Sequence, residues 1–509
     1  MNTTEGAVVE LYNFSVYNVI RRNAALQGDR LSLRSADQRI CHGELLGQVD
    51  RLAGGLVRAG VKRGDRLAIL ANNSPEYVFV LGAAARIGAL VVPINWRLKR
   101  EEIENILSDA TPRALFVDAE NLPAALPLAA TCGSIERRYV IGEAGGGFDA
   151  LASLLSGPGT PPDAEPGLED PYVVIYTAAV QGKPRGAVLS HRNILFSSLQ
   201  YICSLGLTRA DIHVGTLPLF HIAGLGLLFA TMHAGGANLL MPKFDADLAL
   251  EYIEKDKATV FAEFPPILKT VLEKAEGRRS ALVSLRHVVG LDLPDTVKRF
   301  EETTGATFWT GYGQSETTGF VSFSPYFEKE GSAGVANLES EIRIVDENGA
   351  PRGPGETGEI AVRGPLVFSG YWNRDGDNRH TFRGGWHHTG DMGRIDADGY
   401  LWYVGRSSEK ELIKPGGENV YPVEVEKAIL EHPGVAQAAV IGVPDPEWGE
   451  AIKAVCVLSA GSMEAAELIE FVAGRIARYK KPKHVVFVAD LPKKGDGSVD
   501  REKVKALYG

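Results

Sequence analysis

Up to Arg406, the apolar positions fall into short continuous runs separated by helix-length segments with clear end signals. Arg66 to Ala71 is one such run; Ser74-Pro75 then supplies a helix cap and a first-position proline, Gly88 ends that helix, and Ala89–Pro93 is the next run. The unit recurs, with Val214–Leu217 reading as a strand, Ile222–His233 as a helix, Gly235-Gly236 as its terminator and Ala237–Met241 as a strand. A third instance runs from Thr259–Ala262 into a helix started by Pro265. Such alternation predicts parallel sheets covered by helices. Beyond Arg406 the pattern changes to a helix over Pro422–Glu431, strands over Ala438–Val443 and Ala454–Leu458, a helix over Glu464–Arg478 and a strand over His484–Val488. That is a small α/β domain of roughly a hundred residues. The fold class is therefore α/β, with a large N-terminal domain over residues 1–405 and a small C-terminal one over 406–509.

Composition narrows the class. At 509 residues the chain is too long for one core. It is 45% hydrophobic and 23% charged, and no apolar run approaches the ~18 residues that suggest a membrane span. The N-terminus, Met-Asn-Thr-Thr-Glu-Gly-Ala-Val-Val-Glu10, has no basic region followed by an apolar core, so a cytoplasmic protein is expected. Cysteines 41, 132, 203 and 456 have no metal-ligand spacing and predict inert thiols. A net charge of −10 argues against a nucleic-acid surface, although Arg478-Tyr-Lys-Lys-Pro-Lys483 is compatible either with a phosphate-bearing ligand or with plain solvation.

The richest stretch is an apolar strand, Val173–Thr177, that runs into Ala178-Ala-Val-Gln-Gly-Lys-Pro-Arg-Gly186 and out into Ala187–His191. A basic, glycine-containing turn after a strand is how backbone N–H groups and positive charge are brought to a triphosphate, though this one lacks the Walker pattern. Three more segments follow in order: Gly311-Tyr-Gly-Gln-Ser-Glu-Thr-Thr318, Gly385-Trp-His-His-Thr-Gly-Asp391, and Gly405-Arg406 with Ile413-Lys-Pro-Gly-Gly-Glu-Asn-Val-Tyr-Pro422.

Together these resemble the acyl-adenylate-forming (AMP-binding) superfamily over nearly the whole chain, from about Tyr17 to Val504. Gly358–Pro365, Gly370-Tyr-Trp372 and Gly417–Pro422 are similar in wording to bacterial fatty-acyl and medium-chain acyl-CoA ligases. The resemblance implies the adenylate-forming fold with a mobile C-terminal domain, the substrates ATP and CoA, Mg2+, and a small carboxylic acid, with no membrane span and with a homodimer left open. It further implies that Gln181, Gly182 and Lys183 hold phosphates, that Thr177 and Glu316 serve the metal, and that Tyr312, flanked by Gly311 and Gly313 and followed by Gln314, faces adenine. Asp391 would accept from the ribose hydroxyls beside Arg406, His221 would line the carboxylate pocket, and Gly416, Gly417 and Glu418 would face the CoA arm. Ser408 to Lys410 is the zone for the hinge.

The pattern breaks in two places where the family's adenylation chemistry sits. Ala178-Ala179-Val180 replaces hydroxyl and glycine positions of the phosphate loop, and Ser498 stands where the adenylation lysine belongs, with Lys493 and Lys494 several residues upstream. Gly290-Leu-Asp292 departs more softly from a Gly-Gly-Ala lining. Three readings follow: a carboxylate–CoA ligase with a weakened first step, a noncatalytic nucleotide or acyl-CoA binder, and a ligase delivering to a carrier protein. The expected acid is a hydrophobic monocarboxylate, fatty or alicyclic, in a pocket drawn from Ile222–Leu228 and Phe261–Pro265.

Overall fold

The computed structural model describes residues 14–36, 38–157, 165–177, 184–406, 412–494 and 499–509. The strand runs read from the sequence form where expected, at Arg66–Leu70, Leu90–Pro93, Ile212–Gly215, Ala237–Leu240 and Val260–Glu263. So do the end signals. The Ser74 side chain accepts the Tyr77 N–H at 3.2 Å, Pro75 opens the helix Pro75–Ile87, and Gly88 closes it at φ 72°. The third helix begins at Ile267, not at Pro265, because the Pro265-Pro266 pair turns the chain before the helix can start.

Two large sheets carry the N-terminal domain. In the first, Arg185–Ser190, Pro171–Thr177, Leu90–Pro93, Arg66–Leu70, Ala114–Asp118 and Arg137–Ile141 lie side by side, and in the second Gly319–Pro325, Thr307–Gln314, His287–Gly290, Val260–Glu263, Ile212–Gly215 and Ala237–Leu240 do so. The helices His191–Leu205 and Ile222–Ala234 lie between them. Ile194, Leu225 and Phe229 pack toward the first sheet, while Tyr201, Leu227 and Ala230 pack toward Val260, Ala262 and Val289 of the second. A helix buried on both sides needs apolar residues all round, which explains the near-absence of polar positions in Ile222–Ala234. On the outer faces lie Arg100–Ala110 with Leu122–Thr131 and Ala246–Asp256 with Ile267–Lys274 and Pro294–Thr304.

The expectation of parallel sheets fails at the edges. Pro171–Thr177 and Arg185–Ser190 pair antiparallel, as do Thr307–Gln314 and Gly319–Pro325. Glu341–Val345, Gly358–Arg363, Trp386–Ile395 and Leu401–Arg406 then build a separate antiparallel sheet. Its strands alternate: Trp386–Ile395 buries every second residue, the mark of a sheet with one covered face.

The smaller C-terminal domain pairs Val435–Asp445 with Gly449–Leu458 as a long hairpin and adds His484–Phe487 in parallel, with Pro422–Leu430 and Ala465–Ala473 packed on them. The second of these helices stops at Ala473, well short of Arg478; Arg478–Lys480 is instead a separate 3-10 turn.

Candidate active site

A cavity of about 1750 Å3 opens between the two domains, lined by Tyr312, Asp391, His221 and Phe264 from the large one and by Gly416–Glu418, Tyr421 and Trp448 from the small one. Its floor is set by glycines. A Cβ on Gly311 would strike the Ser322 carbonyl and one on Gly313 the Gly319 carbonyl, so the Thr307–Gln314 strand can lie close against its neighbour only with glycine at both places. That closeness brings Tyr312 and Gln314 onto Asp391.

Asp391 is buried and sits opposite Arg406 in the antiparallel register. The Tyr312 hydroxyl donates to its Oδ2 at 2.7 Å, the Gln314 amide donates to the same oxygen, and Arg406 Nε donates to Oδ1 at 3.2 Å. The Tyr312 ring lies nearly parallel to that of Tyr403, with centroids 6.2 Å apart and a 23° interplanar angle. Burial and the Asp391 charge push the Tyr312 phenol well above its ordinary value, so it remains a donor.

Glu316, in the turn Ser315–Thr317, is also buried, and the Tyr371 hydroxyl donates to its Oε1 at 2.9 Å. Arg185 stacks over the Tyr371 ring at 4.3 Å. Burial works against the Arg185 charge, but Tyr371, Glu316, Tyr421 and Asp377 outweigh it and hold the guanidinium above its ordinary value. Thr177, whose Oγ1 donates to the Arg185 carbonyl at 3.4 Å, borders the same cavity as Glu316. Magnesium needs only one or two carboxylates when phosphates supply the rest of its shell. Glu316 with Thr177 fits that requirement, and among the described residues no cluster of three or more His, Cys, Asp or Glu could hold a metal by itself.

His221 precedes the helix Ile222–Ala234 and pairs through Nε2 with Glu418 Oε1 at 3.1 Å. Arg97 reaches the same oxygen. Burial disfavours the Glu418 charge, yet His221, Arg97 and Lys480 together hold its carboxyl below the usual carboxylate range. The turn that delivers Glu418 is possible only with glycines: Gly416 has φ 55° and Gly417 φ 82°, and a Cβ would meet Trp448 at 2.6 Å or Phe264 at 2.8 Å respectively.

The structure thus brings Thr177, His221, Gly311, Tyr312, Gly313, Gln314, Glu316, Asp391, Arg406 and Gly416–Glu418 to one cavity. Gln181, Gly182, Lys183, Ala178–Val180, Ser408–Lys410 and Ser498 lie outside the described residues. Of the two lysines upstream of Ser498, Lys494 borders the cavity while Lys493 pairs with Asp490 at 3.3 Å. The expected acyl lining is also redrawn. Ile222, Ala223, Phe264 and Pro265 face the cavity, but Leu225, Leu227 and Leu228 pack in cores and Phe261 points to the outer helices. Glu263, one residue from Ala262, takes the outer face too and is fully buried, with no side-chain partner for either oxygen among the described residues. Sequence reasoning missed Arg97, Tyr371, Tyr403, Trp448 and Lys480. Tyr371 and Tyr403 sit within or beside motifs and could have been found; Arg97 carries no local signal, and Lys480, read within the basic run Arg478–Lys483 as phosphate-facing or solvated, is instead buried against Glu102 and Glu424.

Residues 20–372 match the profile of the AMP-binding enzyme family and residues 424–498 that of the AMP-binding enzyme C-terminal domain. The chain belongs to this family. It is 35% identical to an indoleacetate–CoA ligase of Aromatoleum aromaticum over 497 residues, covering 96% of this chain and 97% of that protein. It is 36% identical to a feruloyl-CoA synthase of Amycolatopsis over 496 residues, covering 96% and 98%. A Rhodopseudomonas palustris crystal structure described as a long-chain-fatty-acid CoA ligase superposes with a TM-score of 0.75 at 44% identity, covering 78% of this chain and all of the other.

Proposed function

We propose that the protein is an ATP-dependent carboxylate–CoA ligase that makes an acyl adenylate and passes the acyl group to the CoA thiol. The observation that carries this is one cavity into which the large domain sends Tyr312 and Asp391 and the small one sends Gly416–Glu418, with Arg406 at the junction between them. In the first step a carboxylate oxygen bonds to the α-phosphorus of ATP and the bond to pyrophosphate breaks. Little covalent help is needed; the site must position the groups and neutralise charge. Tyr312 offers a flat face to adenine, Asp391 has acceptor capacity for ribose hydroxyls, and Arg185 with Glu316 and Thr177 lies toward the phosphates. Magnesium bound with the nucleotide would supply charge neutralisation at the triphosphate.

In the second step the thiol sulfur bonds to the acyl carbonyl and AMP leaves with the electron pair of the broken C–O bond. His221, oriented by Glu418, stands at the boundary between the apolar wall and the small-domain loop, where it can take the thiol proton. We place the domain boundary at 405/406, the hinge within Ser408–Lys410, and the enzyme in the cytoplasm. With Ala178-Ala179-Val180 and Ser498 at the two altered places, the first step is the weaker one. A nucleotide or acyl-CoA binder without turnover is the competing reading.

For the acid, a hydrophobic ring-bearing monocarboxylate is favoured over a fatty one: two full-length relatives are named for indoleacetate and ferulate, against one structure over 78% of this chain described as a long-chain-fatty-acid ligase, and Phe264, Phe320, Tyr201 and Leu291 offer an apolar, aromatic lining. A thioester assay with ATP, Mg2+, CoA and a panel of indoleacetate, ferulate, octanoate and malonate tests both points. Turnover of the ring-bearing acids is expected. Preference for malonate removes the pocket assignment, and no thioester from any acid, with AMP still bound, leaves the binder reading in its place.

A further inference from the structure

The two domains meet around a second group of buried charges that the chemistry above does not use. Lys480, in the small domain, has a side chain only 5% exposed. Its ammonium donates to Glu102 of the large domain and, at 2.6 Å, to Glu424 of the small one. Glu102 is itself fixed: its other oxygen accepts the Lys99 N–H at 2.7 Å, which ties it to the start of the helix Arg100–Ala110. Glu424 lies in the first turn of the helix Pro422–Leu430, which begins four residues after Glu418. Between them Val420 is locked to Ile413 by reciprocal backbone hydrogen bonds of 2.8 and 2.9 Å. A rigid path therefore joins Lys480 to the Gly416–Glu418 loop. Tyr479, next in sequence, is a cavity-lining residue beside the Glu418 charge.

We propose that Lys480 is a positioning residue for thiol transfer: its ammonium, shared between Glu102 and Glu424, seats the small domain where Gly417 touches Phe264 and Glu418 meets His221. This rests on the ligase reading. Three points support it. The cavity is walled by both domains, so the seating of the small domain decides whether the Gly416–Glu418 loop is in place. A buried cation between two carboxylates fixes one orientation, since any slip leaves a desolvated charge unpaired. Without the lysine, Glu102 and Glu424 would face each other as like charges and push the domains apart.

The test uses the full-length protein with Lys480→Met, Lys480→Met combined with Glu102→Gln, and wild type. Single-turnover transfer to CoA is measured from the adenylate of whichever acid, indoleacetate or ferulate, the panel shows to be used. Affinity for the matching sulfamoyl adenylate analogue is measured alongside. Lys480→Met should slow transfer roughly 10²- to 10³-fold, the order expected for leaving a buried charge unpaired, and leave analogue affinity within about threefold. The double variant should recover part of the rate, because Glu102→Gln removes the like charge beside Glu424 and supplies an amide N–H that can donate to it. Equal loss of both quantities, or loss of neither, overturns the proposal, as does a double variant no better than the single one. If wild type makes no thioester, the ligase reading has failed by itself. Small-angle scattering then decides the positioning role: a larger radius for Lys480→Met upholds it and an unchanged one ends it.

Discussion

Asp391→Asn is the most direct perturbation of the nucleotide end. In the structure Oδ2 accepts from Tyr312 at 2.7 Å and from Gln314, while Oδ1 accepts from Arg406 at 3.2 Å. An amide keeps one acceptor and turns the other position into a donor. With the amide nitrogen toward Tyr312, the hydroxyl can rotate to accept but the Gln314 N–H is left facing another N–H. With it toward Arg406, a guanidinium whose side chain is 11% exposed meets another N–H and keeps, among the described residues, the bond from its Nη1 to the Leu412 carbonyl at 2.6 Å. Either orientation gives up one or two hydrogen bonds to a charged acceptor, each worth about 1.5–3 kcal/mol. Ribose hydroxyls, which need the same lone pairs, meet half the acceptor capacity. A loss of about 2–4 kcal/mol in AMP binding follows, or roughly 30- to 1,000-fold in Kd. Calorimetry at fixed salt measures it, and thermal unfolding with saturating AMP checks it, since binding to the folded state raises Tm by mass action. Asp396→Asn, at a turn where the carboxylate accepts from Trp402 at 2.8 Å, is the control. If Asp391→Asn lowers Tm but binds AMP within threefold of wild type, Asp391 only pins Tyr312 and Arg406, and the ribose role is wrong.

Two further outcomes are expected. Ser498→Lys should raise ATP–pyrophosphate exchange by roughly 10²–10³, the scale of one preorganised charge contact in a transition state, while transfer from a supplied adenylate hardly changes; equal exchange rates in both proteins would remove the assignment of this position. Glu263 is pushed well above the carboxylate range by burial first and the Asp292 charge second. A raised folded value means its contribution is complete below the unfolded pKa of about 4.3 and is lost as pH rises, by up to about 1.4 kcal/mol per pH unit. Glu263→Gln should therefore gain on wild type in Tm between about pH 5 and 8, and a constant Tm difference over that span would contradict the reading.

Much of the fold was legible because its signals are local. Ser74, Pro75 and Gly88 mark one helix without reference to anything else, and the apolar runs after them mark buried strands. The antiparallel sheet of residues 341–406 was not read because its strands are covered on one face only, so His387, Thr389 and Asp391 are buried among exposed or half-exposed neighbours and look like loop. Within the site, residues carried by glycine-rich turns were found and their partners were not. Tyr371 and Arg185 lie 186 positions apart yet stack. Glu263 shows the other limit: which face it takes follows from the parity of Val260, Phe261 and Ala262, and that is settled only once the helices on each side are placed.

The charges between the domains bear on why the interface has this chemistry. Arg97, Glu102, His221, Glu418, Glu424 and Lys480 come from four separate stretches of chain, and desolvating such a set gains little or no net stability. An interface meant to stay closed would be better built from apolar side chains, such as the Phe264 and Trp448 rings that crowd the Gly416-Gly417 turn. A charged one differs in how it opens. Each charged group released would meet water that solvates it well, and closing again would be specific because each cation has one set of partners. A cavity that must admit nucleotide, acid and CoA in turn needs both properties, and an interface of high specificity and low net stability supplies them.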